Sequence, residues 1–361
     1  MRHGPTLDAT LATFADHPGG VWRHIVDVAS GLAERGVAVA VAVPEDAEPL
    51  IADARARGLT LRSLDDTQGD VWHVHLHDTL DRRAMKALAR RKATRQATIA
   101  TEHLPRTDAT DPTLLPGGRT PGAHAAKTAL KRGALAVTGH TILVSAASAA
   151  FLRQRYRVGG RRMHVVPNAL RTVDGAAPGP PEPSADGLVE VIAVGSLIMQ
   201  KGIDVLIDAA SGATGWRAVV VGSGPHREAL EARAAERGAP VRFAGWSDDV
   251  HGAMAKADVF CLPSRWEACP YVVLEAMTLG RPVVASAVDG VPEQVADGET
   301  GVLVPPEDPG ALRAALDALA ADRDARERLG AAAIGAIAAR HRFDDMIDRT
   351  LAVYAAAAGR G

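Results

Sequence analysis

Two glutamates eight residues apart, Glu267 and Glu275, are the residues of this sequence best suited to chemistry. They lie in the run Arg265-Trp266-Glu267-Ala268-Cys269-Pro270-Tyr271-Val272-Val273-Leu274-Glu275-Ala276-Met277. Carboxylates accept paired hydrogen bonds from vicinal hydroxyls, so two at this spacing can grip two different sugars. The same side chains also serve as solvated charges near a helix start, and for Glu267 taken alone both readings stand. Lys201 precedes a predicted helix, where an ammonium meets phosphate beside free backbone N–H groups. Gly19-Gly20 precedes another, where a glycine pair lets a ligand approach the backbone or simply makes a tight turn. His75, His77 and His103 fall at or after the ends of apolar runs, where open α/β sheets place their ligands.

The elements that must position these residues are short apolar runs alternating with Ala-rich helical stretches. That pattern predicts parallel sheets covered by helices. Residues 7–14, 37–43, 71–75, 97–101 and 142–145 read as strands of a first domain, with a helix over 21–35 ended by Gly36. Residues 189–194, 219–221, 241–246 and 257–264 read as strands of a second. Glu267 then lies on the loop after a buried strand, and Glu275 lies about one turn into the next helix. We expect domains at 1–173 and 188–342, a Pro- and Gly-rich linker at 174–187, and a last helix at 343–361 that packs back on the first domain. Residues 107–122 read as a long loop covering an acceptor pocket. Asp322-Arg323-Asp324 reads as a charged face in the middle of a helix, not as a metal motif. Trp246 reads as core or as a cover for a base edge.

At 361 residues, two domains are natural, and 47% apolar with 23% charged is ordinary for a globular protein. Cys261 and Cys269 are the only cysteines. One falls in a predicted buried strand, so a reducing, cytoplasmic setting is expected rather than a disulfide framework. No Cys and His spacing suggests zinc, and no metal is expected at the site. No signal-peptide core or membrane-length apolar run is expected, and no nucleic-acid partner. The net charge of −2 hides an asymmetry: residues 1–173 carry 24 Lys and Arg against 16 Asp and Glu, the remainder 17 against 27. The basic helix near 82–95 is either a solvated face or a peripheral contact to the inner membrane face. The glycine pair is not a Gly-x-Gly-x-x-Gly fingerprint, which counts against a dehydrogenase.

The run from Glu267 continues through Gly280-Arg281-Pro282-Val283-Val284 and Gly290-Val291-Pro292-Glu293. It resembles the donor-site segment of retaining glycosyltransferases of the GT-B fold, family four. That segment has Glu, seven residues, Glu, Ala-Met, Gly-x-Pro-Val-Val and Gly-x-Pro-Glu in this order. The resemblance spans nearly the whole chain and is strongest over 189–305. It implies two Rossmann-like domains with a nucleotide diphosphate sugar held between them.

Glu275 would then hold the ribose, and Glu267 the hydroxyls of the transferred sugar. Backbone N–H groups near Ala268, Cys269, Tyr271 and Val272 would assist; Pro270 has none. Gly19 and Gly20 would lie against the donor's sugar and pyrophosphate, Gly222 near the nucleotide, Asn168 against the donor and His103 beside the reacting carbon. Lys201 would stabilise the leaving diphosphate. The family's arginine before Leu197 is Ser196 here, which puts donor affinity in question; Arg265 and Arg106 are the replacements within reach of the sequence. The expected reaction moves a hexosyl unit from a UDP- or GDP-sugar to an acceptor hydroxyl, with retention and without a divalent ion. The alternatives are a catalytically weak or silent nucleotide-sugar-binding protein and a membrane-associated lipid-glycan transferase.

Overall fold

The computed structural model describes residues 7–359 apart from 17, 77–81, 92, 93, 95, 105–128, 130, 134, 158–161, 172–178, 180, 182, 183 and 185. His77, Arg106, the loop expected at 107–122 and most of the linker lie outside the described residues. The chain forms two compact units, Met1–Asn168 with Phe343–Gly361, and Ala169–Arg342.

In the first unit β1 (Asp8–Thr13), α1 (Gly20–Glu34), β2 (Ala38–Ala42), α2 (Glu48–Ala56) and β3 (Thr60–Arg62) are followed by β4 (Val71–Leu76), α3 (Arg82–Arg91), β5 (Ala97–Glu102), β6 (His140–Leu143), α4 (Ala146–Tyr156) and β7 (Met163–Val165). The seven strands are parallel in the order β3-β2-β1-β4-β5-β6-β7. Helices on both faces explain why β4 is buried at every residue, although it reads Val-Trp-His-Val-His-Leu. Ser145 starts α4 by accepting from Ser148 N at 3.1 Å. In α3 the basic side chains are partly engaged: Arg90 meets Asp65, and Arg91 lies over Trp72 and donates to Leu64 O.

The second unit runs β8 (Val189–Val194), α5 (Ile203–Ala210), β9 (Trp216–Val221), α6 (Arg227–Arg237), β10 (Val241–Gly245), α7 (Val250–Lys256), β11 (Val259–Leu262), α8 (Tyr271–Thr278), β12 (Val283–Ser286), α9 (Val291–Gln294), β13 (Gly301–Val304), α10 (Pro309–Ala321) and α11 (Arg323–Arg340). Its six strands are parallel in the order β10-β9-β8-β11-β12-β13. Val, Ile and Ala line both faces of these strands in two core clusters. Asp322 is not mid-helix: it caps α11 by accepting from Ala325 N, because an aspartate satisfies an orphan donor where α10 ends. Trp246 is not core either; it is 67% exposed and donates to Asp248.

The last helix, α12 (Phe343–Ala357), belongs to the first unit, where Arg35 of α1 pairs with its Asp344 and Asp348. Its Tyr354 hydroxyl is fully buried at 2.7 Å from His73 Nδ1. Among the described residues no helix is long and apolar enough to cross a membrane.

Candidate functional site

In the second sheet the winding reverses between β8 and β11, and the carboxyl ends of strands at such a point are where open α/β sheets have their ligand crevice. Two of the residues read from sequence, Lys201 and Glu267, meet on the loops after these strands. Lys201 Nζ donates to Glu267 Oε1 at 2.6 Å, and Ser264 Oγ donates to the same oxygen at 2.9 Å. Glu267 N donates to Asp289 Oδ2 at 3.1 Å, so the Asp289-Gly290 loop holds the Glu267 loop from behind. Gln200 Nε2 reaches Trp266 O, and Arg265 N reaches Gln200 O at 2.8 Å, which ties the two crevice loops together. The side chain of Glu267 is 7% exposed and that of Lys201 is 19% exposed. A charge pair at this depth needs additional hydrogen bonds to persist, and Ser264 supplies one.

Two glycines permit the packing of these loops. Gly202 has φ +62°, and a β-carbon there would overlap the carbonyl of Pro263. Gly222 has φ +146°, and a β-carbon there would overlap the carbonyl of Gly195. The loop after β9 thus lies directly against the loop after β8. Ser196 is exposed between Gly195 and buried Leu197.

Glu275 is the fifth residue of α8 and is 8% exposed. The helix starts at Pro270 without a side-chain cap. Ala268, Cys269 and Tyr271 are buried, and Val272 is half-buried. Neither Cys261 nor Cys269 is in a disulfide, both are buried, and burial pushes the Cys261 thiol well up. Arg281 is 2% exposed and donates to Ala257 O and Leu279 O, so within Gly-Arg-Pro it closes the end of α8 rather than meeting a ligand.

Arg265 does not take the place of the missing arginine. Its guanidinium grips both oxygens of Asp204 at 2.9 and 2.7 Å, donates to Met199 O and meets Glu307. The bond to Asp204 raises its pKa above the usual arginine range. Its donors are already committed to fixing the loop.

The first sheet reverses its winding between β1 and β4, and the histidines gather at that point. His75 is in register with Thr13 and Thr101, and its Nδ1 lies 3.1 Å from His103 Nε2. His24, which the sequence reading passed over, packs its ring 4.7 Å from His103 and 5.3 Å from His75. Its signal was a polar residue on the apolar stripe of α1, in Val-Trp-Arg-His-Ile-Val. Burial lowers His24 to about 4, against a smaller opposing effect of Asn168, toward which the ring donates, and lowers His73 to about 3. Burial also holds His75 well below the ordinary range. These rings are uncharged at neutral pH. Glu102, beside His103, is buried against Lys131 at 3.0 Å, a pair that sequence reading did not single out. Gly19 and Gly20 are exposed, and Gly19 has φ −164° with no atom within 4 Å of a β-carbon placed there.

Residues 18–173 match the family profile described as Glycosyltransferase Family 4, and residues 189–322 match Glycosyl transferases group 1. The lipopolysaccharide core biosynthesis glycosyltransferase LpsE of Rhizobium meliloti is 34% identical over 38% of this chain and 42% of its own length. Alpha-D-kanosaminyltransferase of Streptomyces kanamyceticus is 32% identical over 45% of each chain. The chain thus spans less than half the length of these relatives. In structure, the Anabaena protein Alr3699/HepE, crystallised with UDP, superposes with a TM-score of 0.79 at 16% identity, covering 97% of this chain and all of that one. TarM of Staphylococcus aureus gives 0.80 at 9% identity, with the same coverage. With both sheets wound in Rossmann order and both halves matched by glycosyltransferase profiles, the chain belongs to the family-four glycosyltransferases of the GT-B fold.

Proposed function

We propose that this protein transfers a hexosyl unit from a nucleotide diphosphate sugar, a UDP-sugar first and a GDP-sugar second, to an acceptor hydroxyl with retention of configuration. The observation that carries the reading is the Lys201–Glu267 pair at the crevice of the second sheet. Lys201 and Ser264 both donate to Oε1 of Glu267, and Oε2 is the oxygen that accepts from a sugar hydroxyl in this reading. Lys201 lies ahead of α5, where its ammonium and the helix N-terminus both favour a diphosphate. Glu275, on α8, takes the ribose hydroxyls. The similarity to a protein crystallised with UDP and with UDP-glucose favours uridine.

In this reading the bond from the anomeric carbon to the diphosphate oxygen breaks as the acceptor oxygen bonds to the same face of that carbon. The acceptor proton passes to the departing phosphate oxygen, so no protein nucleophile is required. Lys201 and backbone N–H groups meet the charge that grows on the diphosphate, in place of a divalent ion. The first unit receives the acceptor, with His103 as its candidate polar contact.

A thermal-shift panel of UDP, GDP and their hexose conjugates tests the donor, since binding to the folded state alone raises Tm. We expect a UDP-sugar to shift Tm most. Glu275→Ala should then weaken nucleotide binding about tenfold or more, the loss expected for a charged hydrogen-bond acceptor, with Tm little changed. Unchanged affinity by calorimetry removes the ribose role. A donor that binds but is hydrolysed neither with nor without acceptors would favour the silent nucleotide-sugar-binding alternative.

A further inference from the structure

We propose that His24, His75 and His103 form a binding site for a divalent ion of the first transition series, with zinc as the test case. One nitrogen from each ring lies within 4.8 Å of the other two. The three rings come from separate elements: the second turn of α1, the end of β4 and the residue after β5. Zinc–nitrogen bonds of about 2.0–2.1 Å in a tetrahedron set neighbouring nitrogens about 3.4 Å apart. His75 Nδ1 and His103 Nε2 already stand at 3.1 Å. The remaining separations, up to 4.8 Å, must close toward about 3.4 Å when an ion binds.

Three further observations point to a ligand. His75 is fully buried, and its Nε2, on the other side of the ring from the Nδ1 that meets His103, has no hydrogen-bond partner among the described residues. No hydrogen bond at Nε2 therefore fixes the tautomer, and Nδ1 can present its lone pair to an ion. His24 lies beside Asn168, which is itself 3% exposed and raises the proton affinity of the ring. An outer partner of this kind fixes the orientation of a metal-bound imidazole. His73 serves as the internal contrast. Its ring lies 4.2 Å from that of His75, but Thr101 and Tyr354 occupy both of its nitrogens at 2.6 and 2.7 Å. His73 therefore backs the site and does not join it.

The donor set decides the ion. Three imidazoles suit zinc, copper, nickel or cobalt, and not magnesium or calcium, which take oxygen. Three protein ligands leave a fourth position for water or another oxygen, as in open zinc sites. The site engages His103 and so competes with an acceptor-side role for that residue. It is read on the protein alone, without nucleotide, so its failure and that of the donor reading are separate events.

The test uses the full chain, stripped with chelator and dialysed against zinc sulfate or cobalt chloride. We expect one equivalent of zinc per chain and, with cobalt, the strong visible absorption of a tetrahedral nitrogen site. His24→Gln and His75→Asn should each weaken zinc at least tenfold, with folding checked by circular dichroism. His140→Gln, at the separate stacked pair with His164, should leave binding unchanged. Three results would overturn the proposal: substoichiometric zinc in the wild-type protein, the faint cobalt spectrum of an octahedral aquo ion, or undiminished zinc in His24→Gln. The first two need no variant to fold.

Discussion

The two sheets are wound in the same order, each places polar residues at its reversal point, and the two sets differ in charge. The second sheet gathers charged partners: Lys201 with Glu267, and Arg265 with Asp204. The first gathers histidines that burial keeps neutral. The difference follows from depth. The Lys201 and Arg265 side chains keep 19% and 14% of their surface in solvent, whereas His73 and His75 keep 1% and 0%. A lysine at that depth would need an anion, as Lys131 has in Glu102. An imidazole simply sheds its proton.

The largest effect that sharpens this contrast concerns backbone rather than charge. Gly222→Ala forces a β-carbon into Gly195 O at a φ that other residues avoid. We expect a loss of about 3 kcal/mol or more, read as a fall in the urea midpoint. Gly202→Ala should behave alike, through Pro263. If either variant melts as the wild type does, the crevice loops are not packed as described.

Acid comes next. His24 has an ordinary pKa of 6.5 and a folded value of about 4, so the unfolded chain takes up a proton first as the pH falls. Stability is then complete above about 6.5 and falls between about 6.5 and 4, with no further loss from this ring below that. The difference is on the order of 3 kcal/mol for His24 alone. Urea unfolding of metal-free protein at pH 7.5, 6 and 5 should show it, and His24→Gln should flatten the slope. A flat wild-type profile would mean that the histidine cluster is charged or solvated, and the contrast between the sheets would be lost.

Lys201→Ala follows. Removing the ammonium should lower turnover at least tenfold, about 1.4 kcal/mol of transition-state stabilisation. It also leaves Glu267 with Ser264 alone on Oε1, so Lys201→Arg is the companion variant. Near-normal turnover in Lys201→Ala would move the diphosphate role elsewhere in the crevice.

The sequence carried the fold because its signals are local. Val-Glu-Val-Ile-Ala-Val and Trp-Arg-Ala-Val-Val-Val can scarcely be anything but strands of a covered parallel sheet. The Glu267 run was legible as a motif, but its ion pair was not, since Lys201 is 66 residues away and only the winding of the sheet brings it near. The partners of Arg265, offered from sequence as one of two replacements for the missing arginine, were hidden for the same reason: nothing in the sequence shows that Asp204 and Met199 O meet its donors. His24 was overlooked because one histidine on an apolar helix stripe looks like packing until β4 and β5 bring two more beside it. The mid-helix reading of Asp322 and the core reading of Trp246 failed because charge and bulk alone do not say where a helix ends or which edge faces water.

The smallest expected effect on stability separates fold from function in the first unit. Gly19 and Gly20 have open space where a β-carbon would go, and Gly19 is in extended backbone that any residue adopts. Gly20 is the first residue of α1, where alanine costs nothing and removes freedom from the unfolded chain. Unlike Gly202 and Gly222, neither is required by the packing around it. Gly19→Ala and Gly20→Ala should therefore change stability by no more than about 0.5 to 1 kcal/mol. If the pair exists to let a ligand approach the backbone, calorimetry should nonetheless show weaker nucleotide-sugar binding in these two variants than in the wild type. Unchanged binding together with unchanged stability would leave the glycine pair without a role at the donor, and would place recognition of the donor in the second unit alone.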